Sequence, residues 1–433
     1  LVLLVIFMVT APLLTQGVKV ELPKAAATAV EGPQEAFIVT VDDQGRYSFS
    51  HGKTTTENLP LDALRREAKA ALQITPATPM LVRGDRRVSY EHVIAALAAL
   101  RQAGADHVIA AVYDPDLDRR AAFAAASGAT AVDSEDALLD AVDAVYVCTW
   151  TSEHPRLVAA VAEHGLPVFC EKPLAVDLAG ARAMADAVAA AGVVNQVGLV
   201  LRSSPSFLEL EHQLADPRNG RVQAVVLRDD QFLPVQGMYG STWRGDVARA
   251  GAGTMLEHSI HDVDALEWLL GPVTSVSARS STFHDNLGIE DTVVASLGFA
   301  SGALGSLTSV WHQLLERPSL RRLEVICERA FLTLEHDVVG PITWTRPDGD
   351  EGSIEGDALV AAVMERHDGR LPNQDRGFVE AVAAGAPGPH PDLAAAVRAH
   401  EVVDAVYRSA ADGGAPVAVQ GASAKGGLSP RGG

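Results

Sequence analysis

The stretch DAVYVCTWTSEHPRLVAAVAEHGLPVFCEKP, residues 143–173, carries the clearest fold signal in the chain. Asp143–Cys148 and Pro167–Cys170 are almost continuously apolar, and His154–His164 between them has the spacing of an amphipathic helix. Strands that are apolar on both faces and alternate with helices are typical of a parallel sheet covered on both sides. The stretch therefore predicts an α/β domain.

The same alternation extends in both directions and then changes. Further short strands are predicted at 108–112, 129–132 and 193–197. After Pro205 the strands are longer and alternate apolar with polar residues, and one long helix, Thr254–Leu270, interrupts them. We therefore predict an incomplete Rossmann-like parallel sheet followed by a second α/β domain with a large, mostly antiparallel open sheet, its strands at 222–228, 273–280, 291–299, 302–310, 322–327 and 330–334.

Composition excludes some classes of function. The chain has 433 residues and a formal charge of −20, which argues against nucleic acid as a partner because phosphate backbones need clustered Lys and Arg. The three cysteines, Cys148, Cys170 and Cys327, have no C-x-x-C spacing. We expect them to be small core residues in a reducing compartment rather than a disulfide or metal site.

The N-terminus, Leu1–Leu14, is apolar and uncharged. It is shorter than the roughly 20 residues that a membrane-spanning helix needs. The segment by itself fits a signal-peptide core, a buried helix, or the second half of a membrane helix. The Ala- and Pro-rich residues that follow are typical of a linker.

Several residues follow predicted strands of the parallel sheet, where ligands of such sheets collect. Asp114 is placed to accept the hydroxyls of an adenosine ribose and to favour NAD over NADP, although an Asp in Asp-Pro-Asp also forms turns. Thr149 to Ser152 precede a helix and fit a cofactor phosphate or ribose, or a simple helix cap. The predicted cofactor-binding residues are Asp114, Thr149, Trp150, Ser152, His154, Glu171 and Lys172.

Two motifs suggest acid–base chemistry. Lys172, in Glu171-Lys-Pro173, projects from the carboxyl edge of the sheet, where a lysine can hydrogen-bond a substrate hydroxyl; a solvated surface Glu-Lys pair is the alternative. Glu257 and His261 are four residues apart on the predicted helix, so the carboxylate can orient the imidazole. A structural histidine is the alternative. No third well-spaced ligand accompanies these residues, so no metal site is predicted.

These motifs together resemble the Gfo/Idh/MocA oxidoreductase family. The resemblance covers about residues 108–417 and rests on AVYDPD at 111–116, Val147–Thr149, Glu171–Pro173 and GAGTMLEHSIHDVDALEWLLG at 251–271. It implies a Rossmann domain, NAD as cofactor, and a sugar, inositol or related polyol as substrate. Lys172, Glu257 and His261 would be catalytic, with Glu257 where many members carry Asp. Specificity would lie in loops such as 201–207 and 236–249.

The chain departs from that family upstream of Asp114, where its first strand and Gly-x-Gly-x-x-Gly turn are missing. Residues 3–24 and LVRGDRRVSY at 81–90 instead resemble the ExbD/TolR biopolymer-transport family, over about residues 1–107. The predicted domains are a partial transmembrane helix at 1–14, a linker at 15–34, a small ExbD/TolR-like α+β domain at 35–107, a Rossmann-like domain without its glycine loop at 108–198, a substrate and oligomerisation domain at 199–417, and a disordered tail at 418–433.

At the junction, Met80–Arg83, a turn and Tyr90–Ala103 form a strand–turn–helix unit that we hypothesise completes the Rossmann sheet. Its turn has one glycine instead of three, so bulky side chains hinder the approach of a pyrophosphate. The sequence predicts an NAD-dependent polyol or sugar oxidoreductase with impaired cofactor binding and homo-oligomers formed through the C-terminal sheet. The alternatives are a membrane-anchored ExbD/TolR-like component of proton-motive-force-driven transport, or a fragment or mis-joined fusion. The expected location is the cell membrane if the N-terminal segment is genuine, and otherwise the cytoplasm.

Overall fold

The computed structural model describes most of the chain after residue 36. The described residues form two compact units within Leu1–Asp143 and Ala144–Gly433. Among them, no helix is both long and apolar enough to cross a membrane. The predicted membrane segment at 1–14 lies outside the described residues, which are 37–41, 46–51, 54–74, 80–84, 96, 99–100, 111–127, 129–235, 240–284, 288–314, 319–388 and 391–421.

The first unit contains a four-stranded sheet with the strand order β3-β2-β1-β4. The strands β1 and β2 form an antiparallel hairpin, and β4 runs parallel to β1. Helix α1 covers the sheet with Leu64 and Ala68, which are fully buried against Val39 and Val41. This small α+β arrangement agrees with the prediction for residues 35–107, and its elements are β1 Phe37–Val41, β2 Tyr47–His51, β3 Thr54–Leu59, α1 Leu61–Ile74 and β4 Met80–Gly84.

The surrogate strand at the junction pairs differently from the hypothesis. Met80–Gly84 lies beside Phe37–Val41, and Ala111–Val112 (β5) pairs with Thr130–Ala131 (β6) in a separate two-stranded sheet. The turn after Gly84 and residues 101–110 lie outside the described residues. Within the described part, Met80–Gly84 therefore belongs to the N-terminal sheet. Two helices complete this unit, α2 Leu117–Ser127 and α3 Glu135–Leu139.

The second unit begins with a three-stranded parallel sheet, in the order β7-β8-β9. These strands are Val145–Val147, Val168–Cys170 and Asn195–Val197, and helices α4 His154–Glu163 and α5 Leu178–Ala191 connect them.

A nine-stranded mixed sheet dominates the second unit, in the order β17-β16-β15-β14-β10-β13-β12-β11-β18. One pair, β10 with β13, is parallel, and the other neighbours are antiparallel. The large open sheet confirms the prediction, although the strands β16, β17 and β18 were not foreseen. Its strands are β10 Val222–Phe232, β11 Val273–Ser281, β12 Thr292–Phe299, β13 Leu304–His312, β14 Leu320–Cys327, β15 Phe331–Leu334, β16 Ile342–Thr345, β17 Glu351–Ile354 and β18 Val417–Ala418.

Helices pack on one face of this sheet and form the main core. The C-terminal helix α12 buries His400 and Val402 and packs against both α5 and β11. The predicted single helix 254–270 is in fact two, because the chain breaks at His258 and Ser259. The helices are α6 Pro205–Leu214, α7 Val247–Ala250, α8 Thr254–Glu257, α9 Ile260–Leu270, α10 Gly356–Arg366, α11 Gln374–Ala384 and α12 Leu393–Ala411.

The cysteines do not all behave as expected. Cys170 and Cys327 are buried, as predicted, but Cys148 is exposed because it lies just beyond the last residue of β7. All three are free thiols. The strand Val417–Ala418 lies at the start of the predicted tail and pairs with β11, while residues 422–433 lie outside the described residues.

Candidate active site

Two loops meet at the carboxyl edge of the three-stranded sheet. The first follows β7 and contains Thr149 to Glu153, and the second follows β8 and contains Glu171 to Pro173. Because β7 and β8 are parallel neighbours, their following residues are brought to the same edge. The structure therefore groups these two predicted motifs, as expected for a ligand site of an α/β sheet.

The side chain of His154 lies between the two loops and contacts both of them. Its Nδ1 lies 2.9 Å from the main-chain oxygen of Pro173, and its Nε2 lies 3.1 Å from that of Thr149. The side chain is buried, and burial lowers its pKa. With both ring nitrogens directed at main-chain oxygens, neither is left for a direct ligand contact.

The side chain of Glu171 packs closely against the chain that follows strand β9. Its carboxylate accepts a hydrogen bond from the main-chain N–H of Lys172, at 3.3 Å, and burial raises its pKa. A Cβ placed on Gly198, just after β9, would lie 2.7 Å from Glu171 Oε2. A larger residue at this position would require the carboxyl group to shift.

Lys172 reaches from this edge to helix α8. Its Nζ donates to the main-chain oxygen of Glu257 at 2.5 Å and lies 3.5 Å from Glu257 Oε1. Arg244 Nε donates to the same Oε1 at 2.7 Å. Although burial opposes ionisation, the positive charges of Lys172 and Arg244 hold the pKa of Glu257 below its usual value. Glu257 is therefore an ionised carboxylate shared by two cations.

The N-terminus of helix α8 is set by a carboxylate from elsewhere in the chain. Glu290 accepts hydrogen bonds from the main-chain N–H groups of Gly253, at 2.7 Å, and Met255, at 3.0 Å. The hydroxyl of Tyr407 donates to Glu290 at 2.9 Å and accepts from Leu256 N–H at 3.1 Å. These contacts satisfy N–H groups that a helix end leaves without partners, and so they place Glu257.

His261 lies in the first turn of helix α9, beyond the break. We predicted that Glu257 and His261 lie on one face of a single helix. That prediction is wrong, because the helix breaks between them and Glu257 contacts Lys172 and Arg244 instead. His261 is buried, and its Nδ1 has no hydrogen-bond partner among the described residues. Burial, followed by the charge of Lys172, lowers its pKa well below the usual value, so the imidazole is neutral.

A buried ionic network, which the sequence did not reveal, lies at the break. Arg321 on β14 donates to Asp262 at 2.6 Å and to Asp229 on β10 at 3.2 Å. His258 Nε2 lies 3.0 Å from Asp229 Oδ2, and Ser259 Oγ donates to the same atom at 3.3 Å. The network fixes the residues between Glu257 and His261 to the central strands of the large sheet. No local pattern predicts it, since its members are distant in sequence.

The carboxyl groups of Asp229 and Asp262 have opposite pKa shifts. Despite its burial, Asp229 has a pKa well below the usual value because His258 and Arg321 stabilise its charge. Burial and the charge of Asp229 raise the pKa of Asp262. Two close carboxyl groups in a buried site do not ionise equally well, so the proton resides on Asp262.

Arg244 and Arg249 bring the predicted specificity loop to the site. The guanidinium of Arg249 lies 3.8 Å from the ring centre of Trp150, and helix α7 packs against residues 151–153. Residues 236–239 of this loop lie outside the described residues. The sequence analysis named the loop but not these two arginines, because nothing local indicates which side chains turn inward.

Asp114 lies in the first unit, just after β5. Its Oδ1 accepts a hydrogen bond from the main-chain N–H of Asp116 at 2.7 Å, the geometry of a turn-forming Asp. The second carboxylate oxygen makes no contact with another described residue, so the turn does not exhaust the group's hydrogen-bonding capacity.

The second unit offers groups that fit the nicotinamide half of an NAD molecule. The side chain of Ser152 is half-buried and that of Thr149 is exposed at the carboxyl edge, and the glycine at position 198 keeps the neighbouring loop close. The donors are hydroxyl groups and an ammonium, which suit ribose hydroxyls and a carboxamide. The residues that replace the glycine loop, 85–95, lie outside the described residues.

Comparisons with known families agree with this architecture. Residues 89–199 match the model of the oxidoreductase family with an NAD-binding Rossmann fold, and residues 207–333 match the GFO/IDH/MocA C-terminal domain. Residues 1–114 match the biopolymer transport protein ExbD/TolR. The first and third matches overlap at residues 89–114, which include the predicted junction.

Individual relatives show the same division. The chain is 32% identical to a 1,5-anhydro-D-fructose reductase of Ensifer adhaerens, over 51% of the chain and 66% of the relative. It is 30% identical to a myo-inositol dehydrogenase of Streptomyces leeuwenhoekii, over 53% of the chain and 69% of the relative. The Tol-Pal system protein TolR of Pseudomonas aeruginosa is 38% identical, over 25% of the chain and 80% of the relative. The chain thus spans about two thirds of the two dehydrogenases.

A solved structure supports the fold. The WlbA dehydrogenase of Bordetella pertussis, in complex with NADH and UDP-GlcNAcA, superposes with a TM-score of 0.62 and 25% identity, over 72% of this chain and 90% of that one. The Rossmann-like parallel sheet and the large mixed sheet define the fold of an NAD-dependent oxidoreductase. The chain belongs to the GFO/IDH/MocA family, with an ExbD/TolR-family segment at its N-terminus.

Proposed function

We propose that this protein is an NAD-dependent oxidoreductase that interconverts a hydroxyl and a carbonyl group on a sugar, inositol or related polyol. The observation that carries the proposal is the grouping of the Lys172 ammonium, the ionised Glu257 and the neutral His261. An ammonium and a neutral imidazole that face one substrate oxygen can stabilise its charge and accept its proton.

The three side chains have distinct tasks in the proposed reaction. His261, whose lowered pKa keeps it neutral, accepts the hydroxyl proton when the alcohol is oxidised. Lys172 donates a hydrogen bond to the same oxygen, and the contact with Glu257 holds the lysine in place. When bound, NAD supplies the hydride acceptor for oxidation, and NADH supplies the donor for reduction.

We propose that the two loops of the second unit hold the nicotinamide half of the cofactor, through Thr149, Trp150, Ser152, Glu171 and Lys172. Asp114, in the first unit, is by itself a candidate for binding a ribose hydroxyl. His154 would act by holding the two loops in register. Since the sequence has one glycine where three are expected, we expect weaker NAD binding than in relatives that keep the glycine loop.

Hydride transfer tests this proposal. The full chain would be incubated with NAD and a panel of inositols and sugars, and NADH formation would be followed by absorbance. K172M is the test variant. K69M is the matched control, because Lys69 lies on an exposed face of helix α1. We expect activity in the wild type and in K69M and its loss in K172M. Equal activity in K172M and the wild type would exclude the role of Lys172.

A second candidate function comes from the N-terminal match to ExbD/TolR over residues 1–114. In this second candidate function, the protein is a membrane-anchored component of a proton-motive-force-driven system, and the component carries an oxidoreductase domain. Fractionation of cells that produce the full chain decides between membrane and cytoplasm. Continuous sequencing of the coding DNA across the codons for residues 104–112 tests whether the two segments form one gene.

We also propose homo-oligomers formed through the open face of the nine-stranded sheet. That face exposes apolar side chains on four of its strands, an arrangement typical of a protein interface. Size-exclusion chromatography with light scattering tests the association, and charged substitutions on the face should produce monomers. The exposed residues are Val226, Val294, Leu304 and Phe331.

A further inference from the structure

Arg244 uses only part of its guanidinium in the described structure. Its Nε donates to Glu257 at 2.7 Å, while Nη1 and Nη2 have no hydrogen-bond partner among the described residues. By contrast, Arg202 contacts Asp264 with both Nε, at 2.9 Å, and Nη2, at 2.7 Å. Arg244 therefore presents two terminal N–H groups at the carboxylate that also binds Lys172.

Arg244 lies beside Glu257 and Lys172, on the side of the candidate site where the substrate would bind. It is bonded to the same Glu257 oxygen that Lys172 approaches, and its charge stabilises the ionised form of Glu171. Its side chain is 28% exposed, so a bound molecule can reach it. The ring of Trp243 lies 4.8 Å from its guanidinium carbon and supports it from one side.

The charges around Arg244 favour an anion. Lys172 and Arg244 are two cations that share the single carboxylate of Glu257, and His261 is neutral. Glu171 is a weak additional counter-ion because burial raises its pKa. A carboxylate can accept two parallel hydrogen bonds from the guanidinium, one from each terminal nitrogen.

We propose that Arg244 binds a carboxylate of the substrate through Nη1 and Nη2, so that the preferred substrate is an acidic sugar or polyol, of the uronate or aldonate type. The inference rests on the proposed function, since it places this carboxylate on the molecule whose hydroxyl Lys172 and His261 handle. A phosphate monoester fits less well, because its second negative charge would lie beside the ionised Glu257.

Binding to the full chain tests the inference without turnover. The affinities of D-glucuronate, D-glucose and D-glucose 6-phosphate would be measured by calorimetry for the wild type, R244Q and R244K. The matched control is R221Q, which removes an exposed arginine that pairs with Glu328. Thermal unfolding establishes that each variant is folded.

We expect D-glucuronate to bind the wild type about 10-fold or more tighter than D-glucose, because hydrogen bonds to a charged group contribute at least the roughly 1.4 kcal/mol that a tenfold preference requires. R244Q should remove this preference, R244K should keep part of it, and R221Q should keep all of it. If R244Q does not fold, the wild-type preference and its decrease in R244K decide the question.

Other results would overturn the inference. They are equal binding of D-glucuronate and D-glucose, an unchanged preference in R244Q, tighter binding of D-glucose 6-phosphate, or no binding of any of the three. NADH formation from neutral polyols without D-glucuronate binding would refute the inference and leave the proposed function standing. D-glucuronate binding that depends on Arg244, without hydride transfer from any substrate, would do the reverse.

Discussion

The Nζ atom of Lys172 lies 2.5 Å from the main-chain oxygen of Glu257, a residue 85 positions later in the chain. This contact joins the carboxyl edge of the parallel sheet to the helix that precedes His261. Because the lysine also faces the Glu257 carboxylate, at 3.5 Å, its charge is stabilised where it would act. The acid–base group is thus assembled from two parts of the second unit.

Glu257 provides the first prediction. Replacement by Gln removes the negative charge that Lys172 and Arg244 share, so the two cations repel each other even though Lys172 keeps its hydrogen bond to the main-chain oxygen. We expect kcat for hydride transfer to fall about 100-fold or more in E257Q, within the range of general acid–base effects. The control E257D keeps the charge and should stay within about 10-fold of the wild type. Similar rates in E257Q and the wild type would contradict the assignment.

Arg321 provides a prediction for stability. Removal of its guanidinium in R321M leaves the fully buried Asp229 without a main counter-charge. We expect the free energy of unfolding of the second unit to fall by about 3–5 kcal/mol, as measured by urea denaturation. The matched control is R322M, the next residue on β14, which is 42% exposed and pairs with Glu324 and Glu335. That change should cost about 0–1 kcal/mol, and equal effects of both variants would refute the role of the network.

His400 predicts a dependence of stability on pH. It is buried in α12, its Nε2 accepts a hydrogen bond from Leu174 N–H at 3.1 Å, and burial lowers its pKa to about 4. The unfolded state therefore binds the proton more tightly than the folded state. Its contribution is complete above the usual value of 6.5 and is lost as the pH falls toward 4.

The expected loss is roughly 3 kcal/mol over that window, at about 1.4 kcal/mol for each pH unit. Tm measured between neutral and acidic pH should fall less steeply in H400Q than in the wild type. The exposed His367 supplies the control, because H367Q should leave the slope unchanged. His154 and His261, whose pKa values are also lowered, add to the slope in all three proteins. A slope in H400Q equal to that of the wild type would contradict the assignment.

A further prediction concerns Gly253, where substitution by alanine adds a single methyl group. A Cβ there would lie 1.8 Å from the main-chain oxygen of Glu290, which cannot move aside like a flexible side chain. We expect G253A to be destabilised by about 3 kcal/mol or more and to lose hydride transfer, because helix α8 must shift. In G165A the added methyl group meets open space and only the positive φ costs, about 1 kcal/mol. If G253A retained wild-type stability and rate, the tight contact would not matter.

Much of the second unit could be predicted from local pattern. The apolar strands Val145–Val147 and Val168–Cys170 and the helix between them follow from periodicity, because each element buries a continuous apolar face. The alternating strands of the large sheet were predicted in the same way. The short strands Ile342–Thr345 and Glu351–Ile354 were missed, since strands of four residues carry little periodicity.

The sequence by itself determined the class of fold and the family, and it suggested Lys172, Glu257 and His261 as site residues, because motif chemistry and apolar spacing are local properties. Only the tertiary structure decided which groups these residues meet. Arg321 and Arg244 each contact residues of another segment of the chain, and the helix break at His258 lies at these contacts. Local patterns do not show such contacts, because the charge of a side chain is stabilised by its neighbours in space.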